Sequence, residues 1–241
     1  CECRIENLDN VIMKEAIILA GGFGTRLQGV IKDLPKPMAP VHNRPFLTYI
    51  LDNLAAAGCE HVVLSTGYLH KKIEEYFGKN YGKLQISYAQ ENEPLGTGGA
   101  IRFALTFCQT DEVLVLNGDT IFKVDWSKFI QFHQQKNALL SVVLRQVDDV
   151  ARYGCVALDA QNRISLFAEK NAVTGKGLIN GGIYLINKQL FDKYPQPQKF
   201  SFEKEIMEQF YKKESFYGLV SDGYFLDIGI PEDYARAEKE L

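Results

Sequence analysis

The sequence contains no apolar run approaching the roughly 18 residues that cross a bilayer. Its N-terminus, Cys1-Glu2-Cys3-Arg4, is acidic and carries no apolar signal core. Neither feature implies a membrane partner. Charge of one sign is also lacking. The 27 Lys and Arg residues face 30 Asp and Glu, giving a net charge of −3, so nothing marks a nucleic acid as the partner. Cysteine is sparse and odd in number, with five residues. Cys59, Cys108 and Cys155 lie inside apolar segments, and Cys1 and Cys3 have no second Cys or His cluster nearby. A disulfide framework and a zinc site are therefore not expected; buried thiols in a reducing cytoplasm are. The four histidines, His42, His61, His70 and His133, show no ligand spacing. A Gly-Lys-Ser/Thr phosphate loop, an internal repeat and a low-complexity stretch are absent as well.

What is present is 241 residues, 46% of them hydrophobic and 24% charged. A chain of this size buries about three-quarters of its unfolded surface and needs no staples. Residues 1–12 precede Met13 and the first strand-like run, and are set apart as an N-terminal extension or a cloning remnant. Residues 13–241 read as a single domain. Through residue 135 the pattern alternates: strands at Glu15–Ala20, His61–Thr66, Leu84–Ala89 and Glu112–Asn117, and helical spacing over 43–57, Lys71–Phe77, Gly99–Phe107 and Trp126–Gln135. That alternation implies a parallel sheet covered by helices on both faces. After residue 138 strands predominate, at Leu139–Leu144, Cys155–Leu158, Ile164–Ala168, Ile179–Ile186 and Tyr224–Ile228, before a final helix opening at Pro231. The expected fold class is α/β: a Rossmann-like three-layer α/β/α arrangement with a mixed, mostly parallel sheet and a small β lobe. Residues 13–135 form the nucleotide half and 136–241 the half that extends the sheet and takes the second substrate.

The strongest chemical signal is Leu19-Ala20-Gly21-Gly22-Phe23-Gly24-Thr25-Arg26-Leu27, followed by Pro35-Lys36-Pro37. A strand delivers three glycines, whose backbone amides approach phosphate oxygens closely. Arg26 adds a planar fork and Lys36 a point charge on a Pro-stiffened loop. Leu27 stands where a dinucleotide fingerprint needs its third glycine. A purely steric glycine turn is the bland alternative. A second signal is Asn117-Gly118-Asp119-Thr120, an Asp at the end of a strand. In open α/β sheets that is where ligands bind, and a carboxylate there suits Mg²⁺; the alternative is an Asx turn. Asp227, inside an apolar strand, needs a partner, whether a metal or a structural hydrogen bond. A third is Glu91 ahead of Pro94-Leu95-Gly96-Thr97-Gly98-Gly99. A glycine-rich backbone beside a strand end can lie under a base, although Glu91 also reads as a solvated acid.

The glycine loop with Pro35-Lys36-Pro37 resembles the signature of the sugar-1-phosphate nucleotidylyltransferases, over residues 14–241. Within that family the chain is most similar to the D-glycero-α-D-manno-heptose 1-phosphate guanylyltransferases. The family pattern often has a proline after the Arg-Leu pair, where Gln28 and Gly29 stand here. The resemblance implies transfer of a nucleotidyl group from GTP to a sugar 1-phosphate. It implies Mg²⁺ held by Asp119 and Asp227, with Arg26, Lys36 and Asp119 catalytic. It places the nucleotide on Leu19, Ala20, Gly21, Gly22, Gly24, Thr25, Glu91, Pro94, Gly96, Thr97 and Gly118. It places the sugar phosphate on Tyr153, Gly154, Glu169, Lys170, Asn180 and Gly181. Without it, Glu169-Lys170 reads as an ordinary charged pair. Guanine offers two adjacent donors, N1–H and N2–H, to an acceptor-only carboxylate, so Glu91 favours GTP over pyrimidine nucleotides. The remaining alternatives are mannose 1-phosphate as acceptor, UTP with glucose or N-acetylmuramate 1-phosphate, and a non-catalytic sugar-nucleotide sensor. A homodimer is the candidate assembly.

Overall fold

Central strand β1 (Glu15–Leu19) shows why the sheet is covered on both sides: Ala16 and Ile18 pack into one apolar cluster, Ile17 into another. The computed structural model describes residues 13–22, 33–168 and 173–241. After β1 come a 3₁₀ turn at Lys36–Met38 and the short hairpin β2 (Pro40–Val41) and β3 (Arg44–Pro45). The alternating part follows as α1 (Phe46–Ala56), β4 (His61–Thr66), α2 (His70–Phe77), β5 (Asn80–Tyr81), β6 (Leu84–Gln90), α3 (Gly96–Leu105), β7 (Glu112–Asn117), β8 (Thr120–Phe122) and α4 (Trp126–Gln135). The strand-rich part comprises β9 (Leu140–Val147), β10 (Cys155–Leu158), β11 (Ile164–Ala168), β12 (Gly177–Asn187), α5 (Gln189–Lys193), a π-helical segment Phe202–Glu208, β13 (Phe216–Val220), β14 (Phe225–Asp227) and α6 (Pro231–Glu240).

Strands β6, β4, β1 and β7 pair in parallel and form one side of a ten-stranded mixed sheet. β12 then runs antiparallel beside β7 and carries β9 and β10 on its other edge. β13 joins β9 in parallel. By direction, β1, β4, β6, β7, β9, β10 and β13 run one way and β5, β11 and β12 the other, so the sheet is mixed and mostly parallel. Helices α1 and α2 bury Leu47, Leu51 and Ile73 on one face, while α3, α5 and the π-helical segment bury Ile101, Leu190 and Ile206 on the other. This is the expected α/β/α sandwich.

The elements depart from the expected order in several places: α1 begins at Phe46 rather than at 43, and β2, β3, β5, β8 and α5 have no counterpart in it. Helix α3 begins at Gly96 rather than Gly99, because the glycines at its start dock on the backbone of Phe200, whose carbonyl accepts from the Gly98 and Gly99 amides at 3.0 and 3.3 Å. Strand β13 and the π-helical segment have no counterpart in the expected order. The segment's buried residues, Phe202, Ile206 and Met207, continued by the buried Tyr211, recur at helical rather than strand spacing, so the pattern for a helix is present in the sequence. Cys59 and Cys108 are buried and free, and burial pushes their thiols up to about 11 and about 12. No helix among the described residues is long and apolar enough to cross a membrane.

One buried acid holds the end of the sheet away from the site. Glu15 is 6% exposed. Its Oε2 accepts from the amides of Gln109 and Thr110 at 2.7 Å and from the Thr110 hydroxyl at 2.8 Å, and its Oε1 meets His61 Nδ1 at 2.9 Å. Burial opposes its ionisation, but the Thr110, His61 and Gln109 hydrogen bonds outweigh that and hold its carboxyl below the ordinary 4.5. Glu15→Gln is therefore expected to lower stability by about 2 kcal/mol at neutral pH, since charge-assisted bonds become neutral ones. Because the folded value is depressed, this contribution is present above pH 4.5 and lost as pH falls through the folded value. Melting curves of both proteins against pH check it: the difference in Tm should shrink on acidification, and a pH-independent difference would contradict it.

Candidate active site

The C-terminal ends of β1, β4 and β7 meet at one crevice, the place where open α/β sheets present loops to a ligand. Ala20 donates its amide to the Ser65 carbonyl at 2.8 Å, and Gly118 donates to the Leu19 carbonyl at 3.0 Å. These bonds stitch the three strand ends together. A side chain at 118 would put Cβ 2.6 Å from the Leu19 carbonyl oxygen, so the close approach requires glycine there. Above the strand ends lies a cavity of about 330 Å³ lined by Leu19, Gly21, Gly22, Lys36, Glu91, Pro94, Gly96, Thr97 and Asp119 among others. Ala20 and Gly118 are buried behind it and shape its floor rather than line it. Gly24, Thr25 and Arg26 lie outside the described residues.

Lys36 reaches this cavity from the 3₁₀ turn. Pro35 enters it extended and accepts from the Met38 amide at 2.8 Å, while Pro37 and Met38 are buried and anchor it. The Lys36 ammonium bonds Asp119 Oδ2 and lies 3.9 Å from Asp227 Oδ1. The two carboxylates, far apart in sequence, are brought together by the β8–β14 ribbon, in which Asp227 pairs with Thr120. The Ile228 amide adds a bond to the Asp119 carbonyl at 3.0 Å. Asp227 Oδ1 accepts from the Gly229 amide at 2.7 Å. Burial pushes the Asp227 carboxyl up, and the neighbouring Asp119 charge pushes it further; Lys36 opposes both. The result is two acids around one cation in a half-buried place, with Lys36 only 13% and Asp227 24% exposed in their side chains.

Glu91 is held rather than free. Its amide donates to the Thr66 carbonyl at 2.8 Å, extending β6 past its last paired residue. Its Oε1 accepts from the Ser65 hydroxyl at 3.1 Å, and its Oε2 from the Leu95 amide at 2.9 Å. The carboxylate thus braces the turn into α3, where Gly96 has a φ of +71° and its missing Cβ would meet the Phe200 carbonyl oxygen at 2.5 Å. With one hydrogen bond to each oxygen among the described residues, the carboxylate keeps further acceptor capacity, and Glu91 lines the cavity.

A second cavity of about 370 Å³ is lined by Tyr153, Asn180, Gly181 and Asp227, and shares Thr97 and Asn117 with the first. Gly154 does not line it; the residue is buried, and its amide closes the turn onto the Val150 carbonyl at 3.0 Å. Glu169 and Lys170 lie outside the described residues. Asn180 is fixed at both ends, its Oδ1 accepting from the Gly182 amide at 3.0 Å and its Nδ2 donating to the Tyr184 hydroxyl at 2.7 Å. The sequence reading did not single out Ser65, Tyr184, Ser201 or Glu203 and gave Asn117 no role, yet all five line the cavities. Ser65 and Asn117 carried a usable signal, being polar residues at the C-terminal ends of parallel strands. Arg102 and Arg145 are engaged elsewhere, Arg102 on the carbonyls of Gln196 and Pro197 and Arg145 on that of Gly223.

The arrangement offers two adjoining cavities with a lysine and two carboxylates near their junction. Comparison with known proteins agrees with that shape. Residues 15–241 match the model of the nucleotidyl transferase family. The chain is 47% identical over 227 residues to a D-glycero-α-D-manno-heptose 1-phosphate guanylyltransferase of Aneurinibacillus thermoaerophilus, covering 94% of this chain and 98% of the relative. It is 46% identical to the protein of the same name from Campylobacter jejuni, covering 91% and 96%. The crystal structure of HddC from Yersinia pseudotuberculosis superposes with a TM-score of 0.85 at 38% identity, covering 95% of this chain and 99% of that one. The same protein complexed with GMP-PN gives 0.82 at 37%, with the same coverage.

Proposed function

The chain belongs to the nucleotidyl transferase family, and from that premise we propose that it transfers a guanylyl group from GTP to D-glycero-α-D-manno-heptose 1-phosphate. The products are GDP-D-glycero-α-D-manno-heptose and pyrophosphate. The observation that carries this reading is the meeting of two cavities beside Lys36, Asp119 and Asp227. One cavity takes the nucleotide on the strand-end glycines; the other takes the sugar phosphate. An oxygen of the sugar phosphate attacks the α-phosphorus of GTP in line, a P–O bond forms, and the bond to the leaving pyrophosphate breaks. The nucleophile is already an anion, so no general base is required, and the protein supplies positioning and charge neutralisation. Lys36 neutralises charge at the α-phosphate, and Arg26 holds the pyrophosphate.

The donor set fits Mg²⁺. Two carboxylates, hard oxygen donors, converge closely enough for one to raise the other's proton affinity, and a cation already bridges them. Mg²⁺ is commonly bound by one or two carboxylates plus phosphate oxygens and water, so no third protein ligand is needed. Asp119 and Asp227 would hold it, and its charge would be set against the triphosphate oxygens. Glu91, already oriented by Ser65 and Leu95, would accept from guanine N1–H and N2–H.

Incubation with GTP, the heptose 1-phosphate and Mg²⁺ should yield equal amounts of GDP-heptose and pyrophosphate. Absence of both from folded protein would refute the reading. For Lys170, proposed to draw the sugar phosphate in against the repulsion of two anions, Lys170→Ala should raise KM for the sugar phosphate and leave KM for GTP nearly unchanged. Equal rises in both would remove Lys170 from the acceptor side.

A further inference from the structure

We propose that Glu203 is a sugar-reading residue, a carboxylate whose open acceptor position takes a hydroxyl of the acceptor sugar. This rests on the two-cavity reading above. The π-helical segment places Glu203 in the wall of the second cavity with Ser201 and Tyr184. Such wide turns often occur where a helix must present a side chain to a ligand.

Hydrogen-bond accounting gives the direction of every donor around it. The Thr97 hydroxyl accepts from the Phe202 amide at 2.9 Å, so its proton goes to Glu203 Oε2, at 2.6 Å. The Ser201 hydroxyl accepts from the Lys204 amide at 3.3 Å, so its proton also goes to Oε2, at 2.9 Å. Two donors fill that oxygen. Oε1 faces a different situation. Its partner among the described residues is the Tyr184 hydroxyl at 3.5 Å, too long to be a strong bond. The Tyr184 oxygen accepts from Asn180 Nδ2 at 2.7 Å, so its proton too is directed at Glu203. Oε1 is left with acceptor capacity in a cavity wall.

An acceptor-only anion in that position selects the chemistry of its ligand. It repels a phosphate and binds a neutral donor, which in the second cavity, proposed to take the sugar phosphate, is a hydroxyl of the sugar. The same carboxylate bonds Thr97, which lines both cavities, and the Phe200 carbonyl three residues earlier in the chain holds the α3 glycines. Glu203 thus lies between the sugar and the loop that carries the nucleotide.

The test measures KM for both substrates in Glu203→Gln and Glu203→Ala, together with melting temperatures. It uses whichever sugar 1-phosphate the wild-type enzyme turns over, so rejection of heptose would refute the proposed substrate and still allow Glu203 to be read. KM for the sugar phosphate should rise about 10-fold or more in Glu203→Gln, because a charge-assisted acceptor is lost, with KM for GTP within about twofold. Calorimetric titration of the wild type with single-deoxy analogues needs no variant. One analogue should bind about 10-fold more weakly, and that penalty should vanish in Glu203→Gln. An unchanged sugar KM, an equal rise in both KM values, or a deoxy penalty that persists in the variant would overturn the proposal. The equal rise would make Glu203 a brace for Thr97.

Discussion

Asp119→Asn and Asp227→Asn are each expected to lower kcat by about 10² or more at saturating Mg²⁺. The site has two carboxylates around one lysine, and removing either charge would leave a Mg²⁺ held there under-compensated in a half-buried place. The two variants should differ in stability. The Asp227 carboxyl is disfavoured in its ionised form by burial and by Asp119, so the neutral amide relieves a cost. Its Oδ1 can still accept from the Gly229 amide. Asp227→Asn should therefore melt no lower than the wild type while losing turnover, the usual trade between a functional charge and stability. Kinetics over a Mg²⁺ series with parallel melting curves decides the matter. Near-normal kcat in both variants would remove the metal assignment.

Glu91→Gln is expected to cost about 1.5–3 kcal/mol in kcat/KM with GTP, because a charge-assisted acceptor becomes neutral and one guanine donor goes unmatched. The geometry sharpens this expectation. In the wild type, Oε2 is bound to the Leu95 amide and Oε1 to Ser65. A glutamine must keep its oxygen on the Leu95 amide to hold the α3 turn. Its amino group then faces Ser65 and the base, where it presents a donor. UTP, with an O4 acceptor beside N3–H, should gain relative to GTP. An unchanged GTP-to-UTP ratio would leave Glu91 as a brace of the loop and nothing more.

The parts of this site that the sequence makes legible are those whose chemistry is local. A strand ending in glycines, Leu19 to Gly22, announces a close backbone approach wherever it occurs, and Asn117-Gly118-Asp119 announces a strand end bearing a carboxylate. The alternation of strand and helix before residue 135 suffices for the sandwich because each element buries one face or both. The partnership of Asp119 with Asp227 depends on the register of the β8–β14 ribbon, which no local pattern encodes, and it enters the sequence reading only through family resemblance. Glu203 leaves no trace at all. It stands in a segment whose apolar residues Phe202, Ile206 and Met207 have helical spacing, which marks a helix but not a carboxylate facing a cavity, and its neighbours Thr97 and Tyr184 are distant in the chain. Glu15 is similar: the strand it opens is legible, but its partners are not, because the 109–110 amides arrive from another loop.

The most direct test of the account is kcat/KM for pyrophosphate release, measured over GTP, UTP and dTTP against heptose, mannose and glucose 1-phosphates. The account predicts the highest value for GTP with D-glycero-α-D-manno-heptose 1-phosphate and dependence on added Mg²⁺. A preference for a pyrimidine nucleotide, or for mannose 1-phosphate at equal or greater kcat/KM, would contradict it.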